Sequence, residues 1–289
     1  LVDAWAAAYG QLAELLIQVE GSLYVEQATA EGGWSGWRPF VVERRVEETP
    51  DVVSFTLRPA DGGRVPAWRP GQFVSVRAYL PEAKLVQPRQ YSLSCAPLCD
   101  RFLRITVRRV DGRDGAPAGL MSTHLHKTLA VGSTIDVSAP CGEFFLKEGT
   151  NPVVLVAAGI GITPIFAMLQ AIAEKTPERP VTLVELARTG ADMALLKEVR
   201  AEVAKLKNVK VAAFITQPSE ADRAIECPCV RKGARPTAED IRALAPAADA
   251  DVYVCGPTGF MDDMRAAFAA AGVPDAQIHA EAFGTGNQS

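Results

Sequence analysis

The amino-acid sequence predicts three parts in order: one long helix, an antiparallel β-barrel, and an α/β domain built on a parallel sheet. Three observations carry this. Residues 1–30 repeat apolar side chains at helical spacing, residues 40–149 are short alternating runs bounded by Gly, Pro and Asp, and residues 150–289 alternate continuous apolar runs with helical patterns.

In the first part, Leu1, Trp5, Ala8, Leu12, Leu15, Val19 and Leu23 fit an amphipathic face. On one row of that helix, Leu12, Leu16, Glu20 and Tyr24 recur every fourth residue, so a carboxylate breaks an apolar stripe. Residues 31–39, within "TAEGGWSGWRPF", read as a linker, because glycines stop the helix and Pro39 cannot continue one. In the second part "FVVERRV", "VVSFTLRP", "GQFVSVRAYL", "RQYSLSCA", "FLRITVRRV" and "STIDVSAP" have the period of barrel strands, interrupted by a helical "GLMSTHLHKTL". In the third, "PVVLVAA", "PVTLVELA", "VKVAAFIT" and "DVYVCG" are fully apolar strands. They alternate with helices "PIFAMLQAIAEK", "ALLKEVRAEVAKL", "TAEDIRALA" and "TGFMDDMRAAFAAAG", which implies a parallel sheet covered on both faces. A ligand cleft is expected between the two domains.

Composition narrows the partners. The 289 residues are 48% hydrophobic and 22% charged, with a formal net charge of -4, so no basic surface is on offer to nucleic acid or an anionic membrane. No apolar run reaches the roughly 18 residues of a membrane span, and no secretory pattern opens the chain, so a cytoplasmic protein is expected. The six cysteines lack zinc or ferredoxin spacing and read as reduced thiols; Cys227 and Cys229 stand too close together for an ordinary bridge. The chain begins with Leu1 inside a helical pattern, the expectation being that it is a piece of something longer.

Four motifs offer chemistry. In "VVLVAAGIGITPIFAML" a buried strand runs into Gly159, Ile160 and Gly161 and then a helix opening at Ile162, Thr163 and Pro164. Two readings fit: a pyrophosphate cradle of glycine backbone and helix N–H groups, or a tight strand-helix turn, since Pro164 replaces the third glycine of the dinucleotide fingerprint. In "PRQYSLS", Arg89, Gln90, Tyr91 and Ser92 bring a cation, an aromatic ring and a hydroxyl to one strand, suited to a flat phosphorylated ligand; an exposed Arg beside a half-buried Tyr is the plainer alternative. Gly119, Met121 and Ser122 open a helix that offers further N–H groups to a pyrophosphate. Cys255, Gly256 and Pro257 end a strand at the carboxyl edge of the parallel sheet, where open α/β sheets bind ligands.

In this order and spacing the motifs resemble the ferredoxin-NADP reductase superfamily, whose barrel binds FAD and whose α/β domain binds NAD(P)H. The likeness narrows through "GGWSGWRPF", "RPGQF", "APCGEFFL", "CGPTGFM" and the terminal "IHAEAFG" to the flavohemoglobins, bacterial nitric oxide dioxygenases, and it covers essentially the whole chain. The resemblance implies that Phe73 and Arg89 to Ser92 contact FAD, with Gly119, Met121 and Ser122 at its pyrophosphate. It places Gly159 to Pro164 on the pyrophosphate of NADH or NADPH and Cys255 to Pro257 by the nicotinamide. Ala282, Phe283, Gly284 and Thr285 would cover the isoalloxazine, and Glu281 would tune flavin and haem potentials. The opening helix is similar to the last helix of the family's globin domain. Glu20 would then belong to a hydrogen-bonded relay around the proximal ligand of a haem b held by a globin domain upstream of this chain. Departures are Thr285 where the family has proline, Glu185 near a usual histidine, and the loop "ECPCVRKGARPTAED".

The implied activity is transfer of electrons from NADH, preferred over NADPH, through FAD to haem for conversion of nitric oxide to nitrate. The partners are then the dinucleotide and a globin domain in the same polypeptide. Against this stand a stand-alone NAD(P)H:acceptor reductase of diaphorase type and an electron-transfer subunit serving a separate protein.

Overall fold

The computed structural model describes residues 2–112, 115, 117–244 and 249–283. Helix α1 (Val2–Thr29) runs the length predicted for it. Among its described side chains the apolar stripe is exposed: Trp5 is 72% exposed, Leu12 52%, Leu15 57% and Val19 50%, although water-facing leucine and tryptophan at this density normally mark a covered surface.

The barrel follows, with β1 (Trp37–Thr49), β2 (Val52–Pro59), β3 (Phe73–Leu80), β4 (Leu85–Ser92), β5 (Leu103–Arg108), α2 (Leu120–Thr128) and β6 (Thr134–Ser138). The strands are antiparallel in the order β4-β3-β6-β1-β2-β5, and a bridge from Leu93 to Ile105 brings the two ends together. Alternate residues turn inward, so Phe40, Val42, Phe55, Leu57, Val74 and Val76 are fully buried in one core. The stretch read as a linker belongs to this wall: β1 begins at Trp37, and Trp34 is buried, its indole Nε1–H donating to the Val137 carbonyl at 3.1 Å. Arg38 lies over the Trp34 ring, 5.3 Å from its centroid. Tryptophan burial decided what the glycines around it could not.

The second sheet is six-stranded and parallel throughout, in the order β10-β9-β8-β7-β11-β12. It comprises β7 (Val153–Ala158), β8 (Val181–Ala187), β9 (Val209–Ile215), β10 (Val230–Lys232), β11 (Asp251–Gly256) and β12 (Ile278–Ala282). Helices α3 (Ile162–Lys175) and α4 (Leu196–Val203) cover one face; α6 (Ala238–Ala243) and α7 (Thr258–Ala270) cover the other, and the one-turn α5 (Glu220–Arg223) precedes β10. All side chains of β7 and β8 are buried, as continuous apolar runs require.

The domains are locked along a built seam. Val52 and Phe144 of the barrel sit in the core under α3, Arg104 on β5 donates to Glu198 on α4 at 2.8 Å, and the Ala96 N–H donates to Gln170 on α3 at 2.8 Å. Among the described residues no helix is long and apolar enough to cross a membrane.

Candidate functional site

The carboxyl edge of the parallel sheet is where glycine is required. Gly159 has φ +55°, and a Cβ placed on Gly161 would lie 2.2 Å from the Cys255 carbonyl oxygen, so β7, its turn and the end of β11 are packed backbone to backbone. Ile162, Thr163 and Pro164 form the buried first turn of α3. No side chain caps that helix, and the Thr163 hydroxyl is spent on the Ile160 carbonyl at 3.0 Å. The Ile162 N–H already closes the short 3-10 turn Gly159–Gly161 on the Gly159 carbonyl and Pro164 has no N–H, so the donors left for an anion are those of the glycine turn itself, which no side chain caps.

Beside this turn, register builds a row of side chains across four strands. Glu185 pairs with Ala157, Ala157 with Cys255, and Cys255 with Glu281, so all four share one face near the carboxyl end. Burial pushes Glu185 and Glu281 each up to about 7. Glu281 Oε2 is buried without a hydrogen-bond partner. Burial raises the Cys255 thiol, and so does the nearby Glu281 carboxylate; the same two causes raise Cys141, which belongs to the barrel. Glu281 thus stands between cysteines of the two domains. Gly256 packs so tightly that a Cβ there would meet Ala158 Cβ at 2.9 Å, Pro257 is the N-cap of α7, and the Phe283 N–H crosses to the Gly256 carbonyl at 3.3 Å. Ala282 pairs with Gly256 at the end of β12. Gly284 and Thr285 lie outside the described residues.

The barrel side is differently made. Strand β4 lies at the edge of its sheet, with Arg89 and Gln90 exposed. Pleating divides the motif: Phe73 faces Ser92 and Ser75 faces Gln90 on one side, whereas Tyr91 and Arg89 pair with Val74 and Val76 on the other. The four residues therefore do not share a face, and they grip a ligand only if it lies along the strand edge. Tyr91 packs against the barrel core, and burial raises its phenol well above the ordinary value despite the Arg89 charge. The Ser92 hydroxyl is buried without a partner. Phe73 bridges to Cys141, and its ring would meet a Cβ on Gly142 at 2.8 Å.

In helix α2, Met121 is 2% exposed and its side chain fills the barrel core, so a ligand at this helix start would meet its backbone. Ser122 is turned to its own neighbourhood, its hydroxyl donating to Gly119 O and accepting from Val110 N–H, each at 3.2 Å. Glu20 is exposed on α1, which contributes nothing to this cleft.

The sequence reading missed Arg108. At the end of β5, its guanidinium lies 3.8 Å from where a Gly159 Cβ would be, and it donates to Asp51 at 2.9 Å. Burial alone would push the Asp51 carboxyl up, but hydrogen bonds from Thr49 and Arg108 outweigh it and hold it below its ordinary value. The available signal was the charged pair closing the strand in "TVRRV".

The cleft fits both groups that the resemblance names. For a dinucleotide it offers an uncapped glycine turn, with Gly159 at positive φ and Arg108 beside it; for a flavin it offers an orphaned Ser92 hydroxyl, an exposed Arg89 and the unpartnered Glu281 oxygen. Among the described residues His126 is bonded to the Val107 carbonyl at 2.9 Å, His279 is stacked on Tyr253, and no group of three His, Cys, Asp or Glu side chains is placed to hold a metal ion.

Comparison with known proteins agrees. Residues 39–146 match the oxidoreductase FAD-binding domain and residues 155–266 the oxidoreductase NAD-binding domain. The flavohemoprotein of Bordetella pertussis is 44% identical over 293 residues, covering 99% of this chain and 70% of that protein. Among solved structures, the flavohem-like FAD/NAD-binding domain of nitric oxide dioxygenase from Vibrio cholerae has a TM-score of 0.76 at 35% identity, covering 86% of this chain and 98% of that one. The flavohemoglobin of Malassezia yamatoensis with bound FAD and heme has a TM-score of 0.81 at 31% identity, covering 98% of this chain and 68% of that one. With α1, the barrel and the parallel sheet all inside that span, the chain belongs to the flavohemoprotein family.

Proposed function

We propose that the chain is the reductase portion of a flavohemoglobin nitric oxide dioxygenase, taking hydride from NADH and passing electrons through FAD to a haem domain that converts nitric oxide to nitrate. The observation that carries this reading is Glu281, unpartnered and half-buried between Cys255 of the dinucleotide domain and Cys141 of the barrel. It marks the point where the two ligands would meet.

FAD, when bound, supplies the hydride acceptor and the change from two-electron to one-electron transfer. The residues of the chain supply position and field. The uncapped turn Gly159–Gly161 would offer N–H groups to the nucleotide pyrophosphate, and Arg108 would add a cation from the barrel side. Cys255 and Gly256, small residues at the carboxyl end of β11, would leave room there for the nicotinamide. Arg89 and Gln90 would hold the charged and polar parts of the flavin along the strand edge, with Ser92 and Phe73 on the Gln90 face of the sheet. Glu281, whose carboxyl is pushed up to about 7 by burial, would exchange a proton near neutral pH beside the cofactor rings. The Arg104–Glu198 and Ala96–Gln170 contacts keep both halves in fixed register, as hydride transfer requires. Arg188, the cation after β8, is engaged by Asp192 at 3.5 Å, which favours NADH over NADPH.

The exposed stripe of α1 supports a haem-binding domain in the same polypeptide, with Glu20 presented to it. The likeness of α1 as well as the reductase part to flavohemoproteins weighs against a stand-alone diaphorase. Four of the six cysteines, Cys95, Cys99, Cys141 and Cys255, are free thiols against one bonded pair, a balance that favours a cytoplasmic setting. The test is anaerobic titration of the FAD-loaded chain with NADH: the flavin absorbance bleaches in proportion to NADH added. A flavin-loaded chain that stays oxidised with both NADH and NADPH overturns the proposal.

A further inference from the structure

The loop between α5 and β10 carries two cysteines for which the reductase reading has no use. Cys227 and Cys229, expected to be too close for a bridge, are joined in a disulfide, because Pro228 turns the chain and leaves their Cα atoms 5.3 Å apart, within the ordinary span of such bonds. Both are half-buried. The backbone around them is held independently of sulfur: the Val230 N–H donates to Cys227 O at 3.0 Å, and the Ala213 N–H of β9 to Cys229 O at 2.8 Å. Opening the bond therefore does not require β10 to leave the sheet.

A bridge across one residue closes almost the smallest loop available, and loop-closure stabilisation grows with loop length, so fold stability is a poor reason for it. What the placement does provide is proximity. With Pro228 fixing its φ and two backbone bonds holding the flanks, the reduced thiols stay within reach of each other. Lys232 Nζ, bonded to the carbonyls of Arg223 (2.9 Å) and Ile225 (2.6 Å), ties β10 to the segment leading into the pair and so adds a third fixed point to the loop.

We propose that Cys227-Pro228-Cys229 is a thiol–disulfide exchange site for low-molecular-weight thiols and their disulfides. In the reducing direction, the thiolate of a small thiol attacks one cysteine sulfur; the ring S–S bond breaks as the mixed disulfide forms, and the released cysteine thiolate takes a proton. A second small thiolate attacks the small thiol's sulfur in the mixed disulfide. The small disulfide leaves and the second cysteine takes a proton, so two thiols have given two electrons to the pair. The reverse sequence closes the ring at the expense of the small disulfide.

The full-length chain is equilibrated in glutathione buffers from fully reduced to fully oxidised, acid-quenched, alkylated and cut with trypsin. The peptide Ala224–Arg231 contains both cysteines and no other, so it reports on this pair apart from Cys95, Cys99, Cys141 and Cys255. The doubly alkylated fraction is expected to pass from nearly all to nearly none across the series, and to reach the same values from either direction. Cys229→Ser, which cannot close the ring, leaves Cys227 carrying glutathione in the oxidised buffer. A peptide doubly alkylated in every buffer, or in none, overturns the proposal, as does a Cys229→Ser peptide that takes up no glutathione. Nucleotide oxidation is not read, so failure here and failure of the reductase reading are separate results.

Discussion

The two halves of the cleft hold their ligands by opposite means. On the α/β side the contact surface is backbone, made where β7, the glycine turn, α3 and β11 are packed with no room for one added carbon. On the barrel side it is a set of side chains on the edge strand β4, of which Arg89 and Gln90 are exposed and only Ser92 is fully buried. A packed backbone site fails as a unit when anything is inserted. A side-chain site fails one contact at a time and leaves the fold intact.

The largest effect should follow from Gly161→Val. Its Cβ would coincide with the Cys255 carbonyl, so α3 or β11 must shift; overpacking of this kind costs on the order of 1–3 kcal/mol. NADH-dependent flavin reduction should fall by about a hundredfold in stopped flow, whereas FAD affinity of the barrel changes little. Loss of both ligands together would break the division between the halves.

Next in size is Glu185→Gln. The carboxyl is buried and its native value is raised to about 7 from an ordinary 4.5, so the folded chain binds more protons than the unfolded one between those values. Stability from this group is therefore complete below about pH 4.5 and is lost as pH rises through 7, at a cost on the order of 2–3 kcal/mol. Thermal melts should show Glu185→Gln stabilising at pH 8 by a few degrees and giving no gain at pH 5. Equal shifts at both values would mean that the carboxyl is ionised and solvated in the fold.

On the barrel side, Arg89→Ala should leave the melting temperature unchanged, since the guanidinium is exposed. FAD affinity in the same protein should weaken about tenfold or more, the scale of one charge-assisted hydrogen bond worth roughly 1.5–3 kcal/mol. A drop in melting temperature of the FAD-free chain would place Arg89 in the fold and not in the site.

Legibility in the sequence divides along the same line. The central strands β7, β8, β9 and β11 announced themselves as apolar runs, and the glycine turn was visible because backbone approach demands glycine. Strand β10 is three residues long and α5 four, too short for any period to register. Strand β12 buries only Ile278, followed by three half-buried residues and an exposed one, so no period in it marks the pairing with β11. In the barrel, alternation gave most strands, but β4 starts at Leu85, earlier than the motif, because an exposed edge strand lacks an apolar face. Side-chain direction was the least legible quantity. Met121 turned inward and Arg108 reached across to the dinucleotide turn, both set by long-range packing that local sequence does not encode.

The smallest and most discriminating change is Ser92→Ala. The hydroxyl is buried on the face shared with Phe73 and has no hydrogen-bond partner within the protein. If it exists for the flavin, removing it relieves a buried polar group in the empty chain and deletes one hydrogen bond in the loaded one. The FAD-free protein should then melt slightly higher, and FAD should dissociate about fivefold more readily, near the 1 kcal/mol typical of a neutral hydrogen bond. The signs of the two effects are opposed, which no purely structural role for Ser92 produces. If the empty chain is destabilised instead, the hydroxyl is satisfied within the barrel, and the flavin is held from the other face of β4 by Arg89 and Tyr91 alone.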